Sequence, residues 1–128
     1  MRSKPAAVLL ASLTGVFVSL PFIRDGLSFL QWAAFVPLLF ALEGATVRRA
    51  AFVGWIAGFV THLVGFYWIP GLLVRFASLP LVAAIPLWAL LAAWGGVMYG
   101  LLAIVLALLG RARTGLPPLV VLPLAYMA

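Results

Sequence analysis

The chain has 128 residues, of which 67% are hydrophobic and 8% are charged. A soluble globule of this size needs more polar surface than these residues supply, so the composition predicts an integral membrane protein. The net charge of +6 comes from pairs of cations near the ends of apolar runs, a pattern that argues against a partner made of nucleic acid.

The apolar runs predict an all-α, polytopic transmembrane helix bundle with four spans and the start of a fifth. A helix of roughly 20 apolar residues crosses a hydrocarbon core of about 30 Å. The first run could instead be a signal peptide, but its length and the further runs behind it favour a membrane helix. The last run has too few residues after Arg113 to cross, so we expect a truncated helix there. The predicted helices cover about 5–23, 27–43, 50–69, 80–109 and 117–128.

Lysines and arginines predict the orientation of the bundle. If successive apolar runs cross the membrane in alternating directions, six cations fall on one side of it. The other two, Arg24 and Arg75, fall on the opposite side. The positive-inside rule then places the N-terminus in the cytoplasm and residues 21–27 and 69–79 outside. The six cations of the cytoplasmic side are Arg2, Lys4, Arg48, Arg49, Arg111 and Arg113.

Small residues recur along one face of the predicted third helix. Ala50, Gly54 and Gly58 are spaced four apart, His62 continues the row, and Gly65 lies nearby on that side. Such a stripe lets another membrane helix approach closely. His62 would then face protein about 18 Å from the cytoplasmic end of the helix. Two roles stay open for it: a functional ionisable group, or a neutral imidazole hydrogen-bonded to a neighbouring helix.

The end of the third helix carries the candidate ligand-binding residues. Tyr67 and Trp68 suit an aromatic belt at the membrane interface. Pro70 and Gly71 are expected to end regular helix, so residues 72–79 are predicted to form an outer loop. Arg75 is the strong polar group of that loop, and its guanidinium suits a lipid phosphate. The alternative is an arginine that snorkels to the interface without a specific ligand.

No catalytic or metal-binding constellation follows from the residues alone. The two carboxylates, Asp25 and Glu43, fall on opposite sides of the predicted membrane and cannot work as an acid–base pair. The chain has no cysteine, and therefore no thiolate nucleophile or cysteine metal site. No metal and no cofactor is expected. These residues predict a scaffold or a lipid-facing site.

Short apolar strings along nearly the whole chain resemble one protein family in their order and spacing. The strings are LPF at 20–22, PLLFAL at 37–42, RRA at 48–50, GWIAG at 54–58, GFYW at 65–68 and LPLAY at 122–126. The chain is similar in these strings to the N-terminal membrane part of bacterial apolipoprotein N-acyltransferases.

The resemblance implies a longer protein of the bacterial inner membrane. That protein would have more membrane helices and a nitrilase-like domain that faces outward. A Glu, Lys and Cys triad in that domain would take an acyl chain from a phospholipid as a thioester. It would then pass the chain to the N-terminal diacylglyceryl-cysteine of a lipoprotein. The 128 residues would be the N-terminal membrane domain, without the catalytic domain and inactive alone.

Individual residues both match and depart from the pattern of this family. Tyr67 and Trp68 match the aromatic end of the third helix in this family. The resemblance implies that this end borders the lipid-binding cavity. Pro70 sits where an aromatic is common, and Ala77 and Ser78 replace a glycine pair.

Two other functions remain open at this point. One is a fragment of a permease for small solutes or lipids, which would need polar groups along a path through the bundle. The other is a non-catalytic membrane subunit that binds an enzyme on another chain.

Overall fold

The computed structural model describes residues 3–111, and every regular element in that range is helical. The all-α prediction is therefore confirmed for these residues. The predicted fifth helix at 117–128 lies outside them. The helices are α1 (Lys4–Ile23), α2 (Leu30–Ala33), α3 (Val36–Leu42), α4 (Val47–Gly65), α5 (Ile69–Phe76) and α6 (Leu81–Arg111), with a 3-10 turn at Asp25–Leu27.

By length and composition, the described residues contain fewer helices able to cross a membrane than the sequence predicts. Two helices, α1 and α6, are long and apolar enough to cross a membrane, which identifies a membrane protein. A third span exists only if α4 and α5, which meet at a bend of 53°, are counted together. The prediction of four spans and the start of a fifth is therefore not supported.

The predicted second span at 27–43 is broken into the two short helices α2 and α3. A proline in a helix has no N–H for the carbonyl four residues earlier, and its ring crowds that carbonyl. For Pro37 the affected carbonyl belongs to Ala33, and Ala33 is the residue at which α2 ends. Pro37 then lies in the first turn of α3, where a missing N–H costs no hydrogen bond.

Helices α1 and α4 pack side by side in the same direction. At one end, Arg49 Nη2 donates to the Ser3 carbonyl over 3.4 Å. Towards the other end, Ser19 Oγ donates to the Thr61 carbonyl over 3.3 Å. The two helices are thus parallel, and their first residues share one end of the bundle. We call the opposite end, where α1 and α4 finish, the Phe66 end.

Helix α6 runs antiparallel to α4 at backbone contact distance. A Cβ added at Gly58 would lie 2.9 Å from the Gly96 Cα and 2.7 Å from the Tyr99 Cβ. A Cβ added at Gly54 would lie 3.1 Å from the Gly100 Cα. Residues later in α4 therefore contact residues earlier in α6, as expected for antiparallel helices. Helices associate in this way where lipid removes the usual hydrophobic drive and close packing must replace it.

A side-chain hydrogen bond ties the same two helices together. Trp55 Nε1 on α4 donates to the Ala93 carbonyl on α6 over 3.0 Å. An indole N–H without an acceptor is costly in an apolar medium, so this bond stabilises the pairing of the helices. Ala103 on α6 is fully buried in the same interface, where a Cβ added at Gly54 would overlap its Cβ.

The turn between α3 and α4 gives a first testable prediction. Gly44 has a φ of +66°, and nothing lies within 4 Å of a Cβ added there. Gly44→Ala should reduce the free energy of unfolding by about 1–2 kcal/mol, because an L side chain is disfavoured in the left-handed region. Gly26→Ala is the control, since Gly26 is equally open but has no positive φ. Detergent unfolding followed by circular dichroism measures both, and an equal loss would contradict the prediction.

Candidate functional site

A cavity of about 480 Å³ opens between α1, α2, α4 and α6 towards the Phe66 end of the bundle. Its volume lies within the range of roughly 300–1,000 Å³ that is typical of small-molecule sites. We call this cavity the cleft. Four of its lining residues lie nearest the Phe66 end, and we call them the mouth of the cleft: Phe22, Gln31, Gly65 and Phe66.

The walls of the cleft continue one helical turn below the mouth. Val18 lies one turn before Phe22 on α1, and His62 lies one turn before Phe66 on α4. One turn is about 5.4 Å of depth. Two aromatic rings also line the cleft: Phe35, between α2 and α3, and Tyr99, on α6, stack with centroids 6.1 Å apart at 20°. Part of the lining of the cleft is thus a stacked aromatic pair.

His62 is held in place within the wall. Its Nδ1 lies 2.8 Å from the Gly58 carbonyl, and because a carbonyl can only accept, Nδ1 carries the proton of that bond. The ring packs against Gly95, where an added Cβ would overlap it. It also meets the Tyr99 ring edge-on, with centroids 6.2 Å apart. The hydrogen bond of His62 therefore stays within α4, whereas the contacts of its ring reach α6.

Tyr67 and Trp68 lie beside the mouth of the cleft and do not line it. Their side chains are 60% and 49% exposed. Phe66, which does line the mouth, meets the Trp68 ring edge-on at 6.3 Å. The two exposed aromatics are thus joined to the cleft through Phe66, with their polar groups available to an interface.

The predicted outer loop at 72–79 is wrong, because residues 72–76 belong to the helix α5. Pro70 lies in the first turn of α5, where a residue without an N–H starts a helix at no cost. Regular helix had already ended at Gly65, before the proline. Arg75 is exposed in the last turn of α5, where its charge suits the negative end of the helix dipole. Ser78 then turns the chain with a φ of 52°.

The structure brings some of the predicted residues together and leaves others apart. His62 and Gly65 share the cleft, while Gly54 and Gly58 face α6 and Ala50 is fully buried. Arg75 does not line the cleft. The other eight of the ten lining residues were not predicted, among them Gln31 and Tyr99. Gln31 could have been, because it carries the chain's sole side-chain amide and lies in an apolar run.

Titratable groups do not cluster in this site. In the part of the chain that the structure describes, no group of three or more His, Cys, Asp or Glu could hold a metal ion. The polar residues that line the cleft are Gln31, Thr61, His62 and Tyr99, and the other lining residues are apolar or glycine. That combination suits binding of an amphiphile.

Comparison with known proteins gives two matches. A sequence model of the apolipoprotein N-acyltransferase N-terminal domain matches residues 14–128. A curated apolipoprotein N-acyltransferase from Geobacter metallireducens is 31% identical over 86 residues, which are 67% of this chain and 16% of that protein. The chain thus spans well under two thirds of this relative's length. No solved structure matches the chain.

Proposed function

Because the chain belongs to the family of apolipoprotein N-acyltransferase N-terminal domains, we propose that it is the membrane domain of such an enzyme. The full protein would transfer an acyl chain from a phospholipid to the N-terminal diacylglyceryl-cysteine of lipoproteins. This segment would hold the donor lipid, and a separate catalytic domain would supply the nucleophile. The chain alone, which has no cysteine, is expected to be inactive.

The observation that carries the proposal is the cleft, which opens at one end of an apolar bundle beside exposed aromatics and a cation. One acyl chain of the donor would enter between Phe22 and Phe66. Its headgroup would stay at the level of Tyr67 and Trp68, where amphipathic rings are stable.

Arg75 would receive the phosphate of the donor. It lies seven residues beyond Trp68, about 10 Å along α5, and its side chain is exposed. A guanidinium presents paired N–H donors that match two phosphate oxygens. Headgroup and tail would then be bound by adjoining parts of the same surface.

The proposal also fixes a location and an orientation. The protein would lie in the bacterial inner membrane as a multi-pass protein with its N-terminus in the cytoplasm. Lys4, Arg48 and Arg49 lie at the end where α1 and α4 begin, and Arg24 and Arg75 follow the other ends of these helices. The positive-inside rule assigns the first group to the cytoplasm.

Thiol labelling tests this orientation in a second prediction. The chain has no cysteine, so a single introduced thiol is labelled without background. Ser3→Cys and Ser78→Cys are matched changes at exposed positions near opposite ends of the bundle. A membrane-impermeant maleimide added to intact cells should label Cys at 78 and leave position 3 unlabelled until the cells are opened. Labelling of position 3 in intact cells would overturn the orientation.

The function itself is tested on the longer protein that contains this segment. Purified enzyme should transfer a radiolabelled acyl chain from a phospholipid to a diacylglyceryl-cysteine lipopeptide. The 128-residue chain should show no transfer and no labelled acyl-enzyme. Failure of the longer protein to acylate the lipopeptide would contradict the proposed function. An acyl-enzyme on the 128-residue chain would contradict the proposal that a separate catalytic domain supplies the nucleophile.

A further inference from the structure

We propose that Nε2 of His62 is a hydrogen-bond acceptor in the cleft and that it binds the free hydroxyl group of a lysophospholipid. This inference rests on the proposed function, in which a phospholipid gives up one acyl chain to a nucleophile. The ester C–O bond then breaks, and the glycerol oxygen keeps the electron pair and takes the proton of the nucleophile. A hydroxyl group replaces the ester, so the cleft would distinguish the product of this step from the donor.

The hydrogen bond of the His62 ring leaves its second nitrogen as an acceptor. Nδ1 donates to the Gly58 carbonyl, so in the neutral ring Nε2 carries a lone pair and can only accept. No residue in the described range bonds Nε2. The one fully buried side-chain atom without a partner in that range is Nε1 of Trp88, so Nε2 is not closed off from the surface. Because His62 lines the cleft, Nε2 is an unpartnered acceptor beside a cavity.

The packing of the ring leaves this lone pair uncovered. A Cβ added at Gly95 would be nearly equidistant from Nε2, Cδ2 and Cε1 of His62. A carbon in the ring plane beyond Nε2 would instead be much closer to the nitrogen than to the two ring carbons. Gly95 therefore covers a face of the ring, whereas the lone pair of Nε2 lies in the ring plane. Since Nδ1 is turned to the α4 backbone, Nε2 points away from that backbone and is presented to the cleft.

The residue next to His62 brings no free proton to this part of the wall. Thr61 is 8% exposed, and its Oγ1 donates to the Ala57 carbonyl over 2.8 Å. A ligand group that bonds Nε2 must therefore supply the proton itself. An ester has acceptors only, and a hydrocarbon tail against Nε2 would leave the nitrogen without a partner at a cost in free energy. A hydroxyl group removes that cost.

The depth of His62 suits the glycerol part of a lipid. His62 lies one turn before Phe66, a residue of the mouth, and one turn is about 5.4 Å. This length is comparable to the span from a lipid phosphate to the middle oxygen of its glycerol. A lysophospholipid with its phosphate at the mouth would thus bring its hydroxyl group to the level of His62.

The test is a competition between two lipids that differ in a single hydrogen-bond donor. The purified chain in detergent is incubated with an equal mixture of octadecyl ether lysophosphatidylcholine, which has a free hydroxyl on the middle glycerol carbon, and its methyl ether. Choline has no N–H, so the hydroxyl is the donor that is compared. Native mass spectrometry should show the wild-type chain favouring the hydroxyl lipid by about fivefold, the factor that one net hydrogen bond of ordinary strength confers. His62→Phe, which keeps a planar ring without nitrogen, should bind both lipids equally.

Three further variants separate the acceptor from the packing of the ring. His62→Gln places an amide oxygen near the position of Nε2 and should retain part of the preference. Thr61→Val removes the neighbouring hydroxyl and should leave the ratio unchanged. His62→Asn replaces His62→Phe if phenylalanine lowers the thermal midpoint, because asparagine is smaller and is too short to reach the position of Nε2.

The outcomes distinguish this inference from the function on which it rests. Equal or absent binding of the two ether lipids by the wild-type chain overturns the inference. A preference that survives in His62→Phe, or one that is lost in Thr61→Val, also overturns it. Phosphatidylethanolamine bound by the same chain would in each case leave the donor site standing. If the wild-type chain binds none of the three lipids, the inference and the donor site are both wrong.

Discussion

Gly58→Ala should lower the free energy of unfolding of the bundle by about 3 kcal/mol, the upper part of the usual range for overpacking a core. The new methyl group would lie 2.7 Å from the Tyr99 Cβ and 2.9 Å from the Gly96 Cα. Real carbon atoms do not approach so closely, so α6 must move away. The movement would also pull Ala93 away from the indole N–H of Trp55. Unfolding in increasing sodium dodecyl sulfate, followed by circular dichroism, measures the loss.

Gly71→Ala is the matched control for this change. Gly71 also lies within a helix, but nothing lies within 4 Å of a Cβ added there. Alanine should stabilise α5 slightly, by about 0.5–1 kcal/mol, because glycine loses more backbone freedom on forming a helix. Opposite signs at positions 58 and 71 support backbone contact between α4 and α6. A loss of similar size at both positions would show that the helices do not touch at Gly58.

Arg75→Ala should weaken binding of the donor phospholipid by about tenfold or more, because it removes both charge-assisted hydrogen bonds to phosphate. Arg75→Lys keeps the charge but loses the planar pair of donors. A phosphate held by two parallel hydrogen bonds would therefore tolerate lysine poorly, and a side chain that only snorkels would tolerate it well. Binding is measured by titrating phosphatidylethanolamine into the chain in detergent micelles, at matched thermal stability of the variants.

Arg24→Ala is the control for the charge itself. Arg24 is exposed and follows the last residue of α1, so it lies at the Phe66 end without belonging to α5. It should have little effect on lipid affinity. Equal losses for Arg24→Ala and Arg75→Ala would mean that this end attracts anionic lipid through net charge only, and the proposed phosphate contact would be wrong.

Hydropathy predicted the helices whose apolar runs are unbroken and failed where a proline changes the backbone. Helix α1 follows the predicted run at 5–23, and α6 follows the run at 80–109. Pro37 divides the run at 27–43, and Pro70 starts a helix where an end was predicted. A proline terminates or initiates a helix according to the hydrogen bonds around it, and a composition window does not register that difference.

The part of the candidate site that lies on one helix was predictable from the sequence. The contacts between residues on different helices were not. The spacing of Gly54, Gly58 and His62 marks a single face of α4, because residues four apart share a face. The aromatic part of the cleft lining depends instead on Phe35 meeting Tyr99, two residues far apart in the chain. Such a pair is set by how α3 and α6 pack around α4, and no local pattern in a single sequence specifies that geometry.

The hydrogen bond from Trp55 to Ala93 also bears on how the chain is made. Its acceptor lies 38 residues after its donor, so at ordinary rates of translation α4 leaves the ribosome about 2–8 s before α6 can complete the bond. During that time the indole N–H and the glycine face of α4 have no partner from α6. Helix α4 also qualifies as a span only together with α5. Insertion of α4 should therefore depend on the arrival of α6, so that the two helices enter the bilayer as a hairpin and the membrane insertion machinery must retain α4 until then.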